Sequence, residues 1–178
     1  ANISGFTALL SEGKARPASV SYTSPLPAKL GLQVPASVSH AVRAYDLSKT
    51  AMKPAGSMSV AANILSLAYL WNEIRVKGGA YGTSVNASRT GSYLCYSYRD
   101  PSPEKSLKTY KTMPGFLDAF GDAPEGSIDG FIISTIAQTE PLVSPATKGR
   151  SADDFWFSGF SDEDRIRIRR EILETTPA

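Results

Sequence analysis

Two side chains that donate hydrogen bonds flank a glycine-rich turn in the middle of the chain. Arg75 carries a fixed planar cation, and Tyr81 carries a phenol. Gly78 and Gly79 lie between them and follow an apolar helix, so we expect a left-handed glycine to end that helix. Together the two donors could bind a carbonyl oxygen or an anion. The spacing alone favours a simpler interpretation, in which the arginine caps the helix and the tyrosine fills the core.

The rest of the sequence lacks the residue sets of the common catalytic sites. Its only histidine is His40, and its only cysteine is Cys95. These counts exclude a zinc site built on two histidines or on cysteines, and they exclude an intrachain disulfide. Neither a Gly-x-Ser-x-Gly pattern nor a P-loop is present, so we expect neither a serine hydrolase nor a nucleotide site. We interpret His40 as an ordinary strand residue and Cys95 as a small core residue.

Composition indicates an ordinary globular protein. The 178 residues are 42% hydrophobic and 20% charged, and a domain of this size buries about 70% of its unfolded surface. A net charge of +2 without a basic stripe argues against nucleic-acid binding. No apolar run of about 18 residues and no signal-peptide pattern is present, so we expect no membrane association. The single cysteine favours the cytoplasm or an organelle matrix over secretion.

The pattern divides the chain into two parts. Residues 1–30 form a poorly patterned N-terminal segment with one weakly alternating stretch at residues 19–23, and residues 31–178 contain the regular elements. In this second part, alternating polar and apolar residues predict three strands. These strands cover residues 34–45, 81–87 and 92–99. The last two should form a hairpin, because the short turn between them contains a glycine.

Helical patterns are concentrated after the strands. Apolar residues at steps of three and four predict a buried helix after Ser57 or Ser59, either of which could be its N-cap. The apolar face of this helix consists of Val60, Ile64, Leu67, Trp71 and Ile74. Further helices are predicted at residues 103–120, with a break at residues 114–115, at 125–138, at 153–160 and after Ser161. This order predicts an α+β fold, with a mainly antiparallel sheet and helices packed on it.

One segment of the sequence can be recognised. Residues 75–82, Arg-Val-Lys-Gly-Gly-Ala-Tyr-Gly, closely resemble a segment in the C-terminal half of insulinase/pitrilysin-type (M16) zinc metallopeptidases. The presequence-protease-like branch is the most similar. Residues 98–101, 168–173 and 175–177 resemble later landmarks of the same domain, in the same order. The resemblance covers residues 32–177 and implies one α+β domain of a metallopeptidase half.

The resemblance also implies a function. The chain would be the C-terminal, substrate-binding domain, cut from a metalloendopeptidase that encloses and cleaves unfolded peptides. Arg75 and Tyr81 would be catalytic residues that hydrogen-bond the substrate, and Tyr81 would also stabilise the tetrahedral oxyanion. Gly78 and Gly79 would let the peptide approach the backbone. The zinc and its His-x-x-Glu-His motif would lie in the missing N-terminal half, which would be this domain's partner, and the fragment alone would be inactive.

Two alternatives remain open at this point. The full protein could be a zinc-free, non-catalytic scaffold or binding subunit of the same family, although the presence of both Arg75 and Tyr81 argues against it. The chain could also be a free-standing α+β binding module outside the family. A module of that kind would not need an exposed pair formed by Arg75 and Tyr81.

Overall fold

The chain divides into two units, Ala1–Pro35 and Ala36–Ala178. The computed structural model describes residues 8–9, 23–122, 124 and 127–177, without the side chain of Ser48. The predicted stretch at residues 19–23 therefore lies almost entirely outside the described residues. Residues 23–35 contain no helix or strand. All the elements described below belong to the second unit.

Three antiparallel strands form the sheet. They are β1 (Ser39–Asp46), β2 (Gly82–Ala87) and β3 (Ser92–Asp100). The order β1–β3–β2 puts β3 in the centre, and the predicted hairpin of β2 and β3 is confirmed. β1 begins at Ser39 and not at the predicted residue 34. A physical reason is Pro35, which has no N–H to donate to a neighbouring strand.

One face of the sheet is buried and the other is partly open. Ala41, Cys95 and Ser97 point to the buried face, and each is less than 5% exposed. Val42, which follows Ala41 on β1, points to the other face and is 57% exposed. This alternation determines which side chains of the strands can reach solvent.

The central helix changes its geometry along its length. It begins as α1 (Gly56–Ile64) and continues as a π-helical segment (Leu65–Val76). In a π-helix an N–H bonds the carbonyl five residues earlier, as the Lys77 N–H does with the Asn72 oxygen at 3.0 Å. A 3.6-residue pattern therefore does not describe its second half.

The wider turn moves the buried face of this helix. Leu65 and Leu70, five residues apart, are almost completely buried. Leu67 and Trp71, which we predicted to face the core, are 50% and 40% exposed. The predicted face is correct for Val60, Ile64 and Ile74 and wrong for these two residues, because the prediction assumed α-helical spacing throughout.

The N-terminus of α1 is capped from a distant part of the chain. Its N-cap residue is Ala55, which has no capping side chain, so the predicted caps Ser57 and Ser59 are wrong. Instead, the Gly56 N–H donates to the Glu171 carboxylate at 2.7 Å. A carboxylate at this position also interacts favourably with the helix dipole.

Four further helices follow the sheet. They are α2 (Pro103–Gly121), α3 (Asp129–Thr139), α4 (Pro145–Ser158) and α5 (Asp162–Leu173); a short 3-10 turn (Leu47–Lys49) follows β1. The predicted break in α2 is wrong, because the helix continues through Pro114 while Tyr110 and Met113 anchor it in the core. α4 begins at Pro145, well before the predicted residue 153, because Ser144 caps it. None of the helices in the described part is long and apolar enough to cross a membrane.

Two buried clusters hold the elements together, one between helices and the sheet and one between helices alone. The first joins the π-helical segment, the sheet and α2, and includes Leu65, Leu70, Ile74, Val85, Cys95, Tyr110 and Met113. The second joins α1, the start of α3, and α5, and contains Val60, Ile64, Ile128 and Ile172. Each large buried aliphatic side chain stabilises the fold by about 1.5–3 kcal/mol. The α+β class predicted from the sequence is confirmed.

The carboxylate of Glu171 should make stability depend on pH. Partial burial would raise its pKa, but the Gly56 N–H and Arg167 outweigh this effect and hold the pKa below its ordinary value. A depressed folded-state pKa gives stability that is present above the unfolded pKa and lost as the pH falls through the folded pKa. We expect Glu171→Gln to lower the free energy of unfolding at pH 7 by about 1 kcal/mol, and the deficit to shrink in acid.

Urea unfolding at pH 7 and at pH 3 measures both values. The control is Glu174→Gln, which removes an exposed acid just past the end of the same helix and should not reduce stability at either pH. A deficit of equal size for Glu171→Gln at both pH values would contradict the capping role.

Candidate functional site

The four predicted site residues lie around the turn that joins the π-helical segment to β2. Arg75 is in the last turn of the segment, and Tyr81 immediately precedes β2. The helix ends through two hydrogen bonds, from the Gly79 N–H to the Arg75 oxygen and from the Ala80 N–H to the Ile74 oxygen, at 3.0 and 3.1 Å. The turn therefore brings the arginine and the tyrosine to the same place.

The two glycines are required for different reasons. Gly79 has φ +78° and is the left-handed residue that the sequence predicts at this helix end. Gly78 does not have a positive φ. A Cβ at Gly78 would lie 2.4 Å from the Ile74 carbonyl oxygen, so this position admits only glycine without a backbone shift.

The Arg75 guanidinium is fixed by neutral groups. Its Nη1 donates to the Tyr81 carbonyl oxygen at 2.5 Å. Its Cζ lies 4.2 Å from the centre of the Trp71 ring and 5.6 Å from that of Tyr81. Within the described residues it has no carboxylate partner. The cation is therefore oriented by its surroundings, while most of its N–H donors stay free for a ligand.

Tyr81 is exposed and held from several sides. The residue is 55% exposed, so the interpretation of Tyr81 as a core tyrosine is wrong. Its ring packs edge-on against Tyr98 with centroids 5.2 Å apart, and the Arg99 Cζ lies 5.6 Å from its centre. Its N–H donates to the Arg99 oxygen at 3.4 Å. Its hydroxyl has no hydrogen-bond partner in the part of the chain that the structure describes.

These contacts define a cluster that the sequence pattern only partly indicates. We call Trp71, Arg75, Tyr81, Tyr98 and Arg99 the aromatic–cation cluster. Trp71 was not expected in the site, because helical spacing assigned it to the core. The Tyr-Arg-Asp-Pro segment at the end of β3 was recognised only as a family landmark, although an arginine at a strand end was a usable signal.

His40 lies at the edge of the aromatic–cation cluster. It is an exposed residue of β1, and its ring stacks on Tyr98 with centroids 6.0 Å apart. The site thus extends from the helix end across the partly open face of the sheet. This position is compatible with the strand assignment that we made for His40.

The buried carboxylate of Asp100 lies next to the cluster in sequence and supports it from the protein interior. Asp100 is 1% exposed. It accepts hydrogen bonds from the hydroxyls of Ser97 and Ser106 at 2.5 and 2.6 Å, and from the Ser102 N–H at 2.8 Å. These donors compensate for its burial and tie the end of β3 to the start of α2. The backbone of the adjacent Arg99 is fixed as a result.

The chain matches a known protein family over most of its length. Residues 29–177 match the family described as PreP C-terminal domain. The chain belongs to this family. The match covers most of the chain and includes every residue of the aromatic–cation cluster.

Individual relatives agree with this assignment of a PreP C-terminal domain. The chain is 35% identical to Protein HypA of Clostridium perfringens and 33% identical to Presequence protease 1, chloroplastic/mitochondrial, of Arabidopsis thaliana, over 80% of its length in each case. It is 32% identical over 70% of its length to the mitochondrial presequence protease of Saccharomyces cerevisiae. The chain spans only 15%, 13% and 12% of the lengths of these relatives.

The cysteine of this PreP C-terminal domain is not a nucleophile. Cys95 is fully buried in the first core cluster. Burial raises the pKa of its thiol to about 11, although Arg43 partly opposes this effect. The thiol is therefore protonated at neutral pH, and only the thiolate is reactive.

The domain also contains a groove with both polar and apolar lining, separate from the aromatic–cation cluster. It has a volume of about 650 Å³, lies between α1, β2 and α5, and includes none of the four predicted residues. Asn63 lines it and donates to the Phe131 oxygen and to the Ser134 and Thr135 hydroxyls. Because this amide is occupied within the fold, we assign the groove no chemistry.

The two glycines of the turn should differ in their sensitivity to a methyl group. We expect Gly79→Ala to lower the free energy of unfolding by about 1–2 kcal/mol, because it forces an L-residue into the left-handed region. Gly78→Ala should cost more, since its Cβ meets a backbone oxygen. Denaturant unfolding measures both changes.

The matched control is Gly149→Ala within α4, where an added Cβ meets nothing within 4 Å. This substitution should raise stability by about 0.5–1 kcal/mol, because alanine is the better helix former. A gain in stability for Gly78→Ala like that of this control would contradict the close approach of the Ile74 oxygen at Gly78.

Proposed function

We propose that this chain is the substrate-binding C-terminal domain of a presequence-protease-like metalloendopeptidase that encloses and cleaves unfolded peptides. One observation carries the proposal. An exposed phenol, whose hydroxyl has no partner among the described residues, is held beside an oriented guanidinium at a helix-to-strand turn with little conformational freedom. Membership of the PreP C-terminal domain family supports the peptidase context.

Tyr81 can stabilise the transition state of peptide hydrolysis. Attack on a peptide carbonyl converts its oxygen into an oxyanion, and a phenol placed beforehand can donate a hydrogen bond to that oxygen. Such a donor needs little reorganisation during the reaction, so its loss typically costs about 3–4 kcal/mol of transition-state stabilisation. The edge-on contact with Tyr98 and the nearby guanidinium groups favour one orientation of the ring.

Arg75 can position the substrate. One of its N–H groups holds the Tyr81 carbonyl, and the others can donate to a carbonyl of an extended peptide. Stacking on Trp71 reduces the freedom that the guanidinium would lose on binding. Gly78 and Gly79 support both residues by forming the turn, and direct contact between the peptide and these glycines remains a prediction.

The residues that the structure describes do not fit a metal site. No group of three or more His, Cys, Asp and Glu side chains in the described part could hold a metal ion. We therefore propose that the zinc implied by the family resemblance is bound by the N-terminal half of the full protein. That half would be the partner of this domain, and the isolated domain would not cleave peptides.

Replacing the phenol tests the catalytic role of Tyr81. In the full-length protein, with a quenched unstructured peptide as substrate, we expect Tyr81→Phe to lower kcat by about 100-fold or more. KM and the unfolding temperature should change little, because the ring and its packing remain. The matched control is Tyr45→Phe, a partly exposed tyrosine of β1 whose ring lies 5.1 Å from the Arg43 Cζ.

Each contrary outcome has a distinct meaning. If the wild-type protein cleaves no peptide even when zinc is supplied, the non-catalytic scaffold replaces the peptidase. If the wild type cleaves and Tyr81→Phe is equally fast, Tyr81 does not act at the transition state. A loss that Tyr45→Phe reproduces would indicate a general effect of tyrosine removal on the fold.

A further inference from the structure

An extra residue interrupts the pairing of β3 with β1. Ser39 lies opposite Asp100, while the next residue, His40, lies opposite Tyr98. One step along β1 therefore corresponds to two steps along β3. Arg99 is the extra residue, and no residue of β1 lies opposite it. This is the geometry of a β-bulge, which locally redirects side chains and is frequent beside active sites.

The backbone of Arg99 is unusual in a second respect. Its φ is +50°, and it is the only described residue other than glycine with a positive φ. The left-handed region is unfavourable for an arginine, so the surrounding structure must maintain it. The hydrogen bonds of the buried Asp100 with Ser97, Ser102 and Ser106 supply that support.

The bulge reverses the directions of two side chains. Ser97 points to the buried face, so regular alternation would bury Arg99 and expose Asp100. The structure shows the opposite arrangement, with Arg99 exposed and Asp100 buried. A cation is thereby placed on the surface, and the carboxylate that follows it turns inward as an anchor.

The redirected Arg99 contacts Tyr81 in two ways. Its carbonyl oxygen accepts the Tyr81 N–H at 3.4 Å, and its Cζ lies 5.6 Å from the centre of the Tyr81 ring. Arg75 lies at the same distance from this ring. A guanidinium near an aromatic ring is attracted by the ring quadrupole and restricts its movement.

We propose that Arg99 is a positioning residue, which the β-bulge and Asp100 direct toward Tyr81 so that its guanidinium fixes the orientation of the phenol. This inference rests on the role proposed above for Tyr81. Arg99 has no carboxylate partner in the described residues, so a surface ion pair does not account for its strained conformation. Its guanidinium lies instead near the ring of Tyr81.

Three substitutions separate the side chain from the backbone. Arg99→Gly removes the guanidinium and accepts a positive φ without strain. Arg99→Ala removes the guanidinium but keeps the strain, and Arg99→Lys keeps both a cation and the strain. In the full-length protein, we expect Arg99→Gly and Arg99→Ala to lower kcat by about 10- to 100-fold, since a displaced catalytic group loses rate on this scale.

Three further readouts distinguish positioning from a structural role. KM should stay within about threefold of the wild type, since the lost interaction acts in the transition state. The unfolding temperature of Arg99→Gly should not fall, and Arg99→Lys should recover part of the lost kcat. The matched control is Arg43→Ala, which removes the cation beside Tyr45 and should leave kcat unchanged.

A double-mutant cycle with Tyr81→Phe completes the test. If Arg99 acts through the phenol, Arg99→Gly should cause little further loss of kcat in the Tyr81→Phe background. Full activity of Arg99→Gly with a clear loss for Tyr81→Phe would overturn the positioning role alone. Full activity of Tyr81→Phe would overturn the proposed function and this inference with it. Equal losses for Arg99→Gly in both backgrounds would show that Arg99 does not act through Tyr81.

Discussion

The hydrogen-bonded burial of the Asp100 carboxylate is the interaction on which the site depends. A carboxylate that is 1% exposed would strongly destabilise the fold without its donors. Two serine hydroxyls and one backbone N–H satisfy it, and all three come from the end of β3 and the start of α2. The position of Asp100 in turn determines the backbone of Arg99, which bonds the N–H of Tyr81. The buried hydrogen bonds of Asp100 therefore help to fix the exposed aromatic–cation cluster.

The cluster forms where three local irregularities meet. The π-helical segment exposes Trp71 beside Arg75, the glycine turn places Tyr81 next to this pair, and the bulge brings Arg99 from the neighbouring strand. The positive φ of Arg99 costs free energy by itself. The well-packed core on the other side of the sheet can offset that cost, because Leu65, Leu70 and Ile74 on the same helix are almost fully buried.

Local sequence signals predicted the parts of this structure that local interactions determine. Alternation predicted the hairpin, and Ser161 predicted the start of α5, where it forms a capping box with Asp164. The octapeptide at residues 75–82 identified both the family and the turn. Long-range contacts determined what was missed: Glu171 caps α1 from 115 positions away. The exposure of Trp71 likewise depends on π-helical geometry, which no residue type in the segment predicts.

The most direct test asks whether Tyr81 touches the substrate. A photo-reactive benzoyl-phenylalanine at position 81 of the full-length protein would be irradiated with an unfolded peptide whose scissile bond is N-methylated to resist cleavage. We predict a covalent adduct on the peptide residues that flank the scissile bond, and none when the same group replaces Tyr45. No adduct at position 81, or adducts spread evenly along the peptide from both positions, would contradict the account of this chain as a substrate-binding domain.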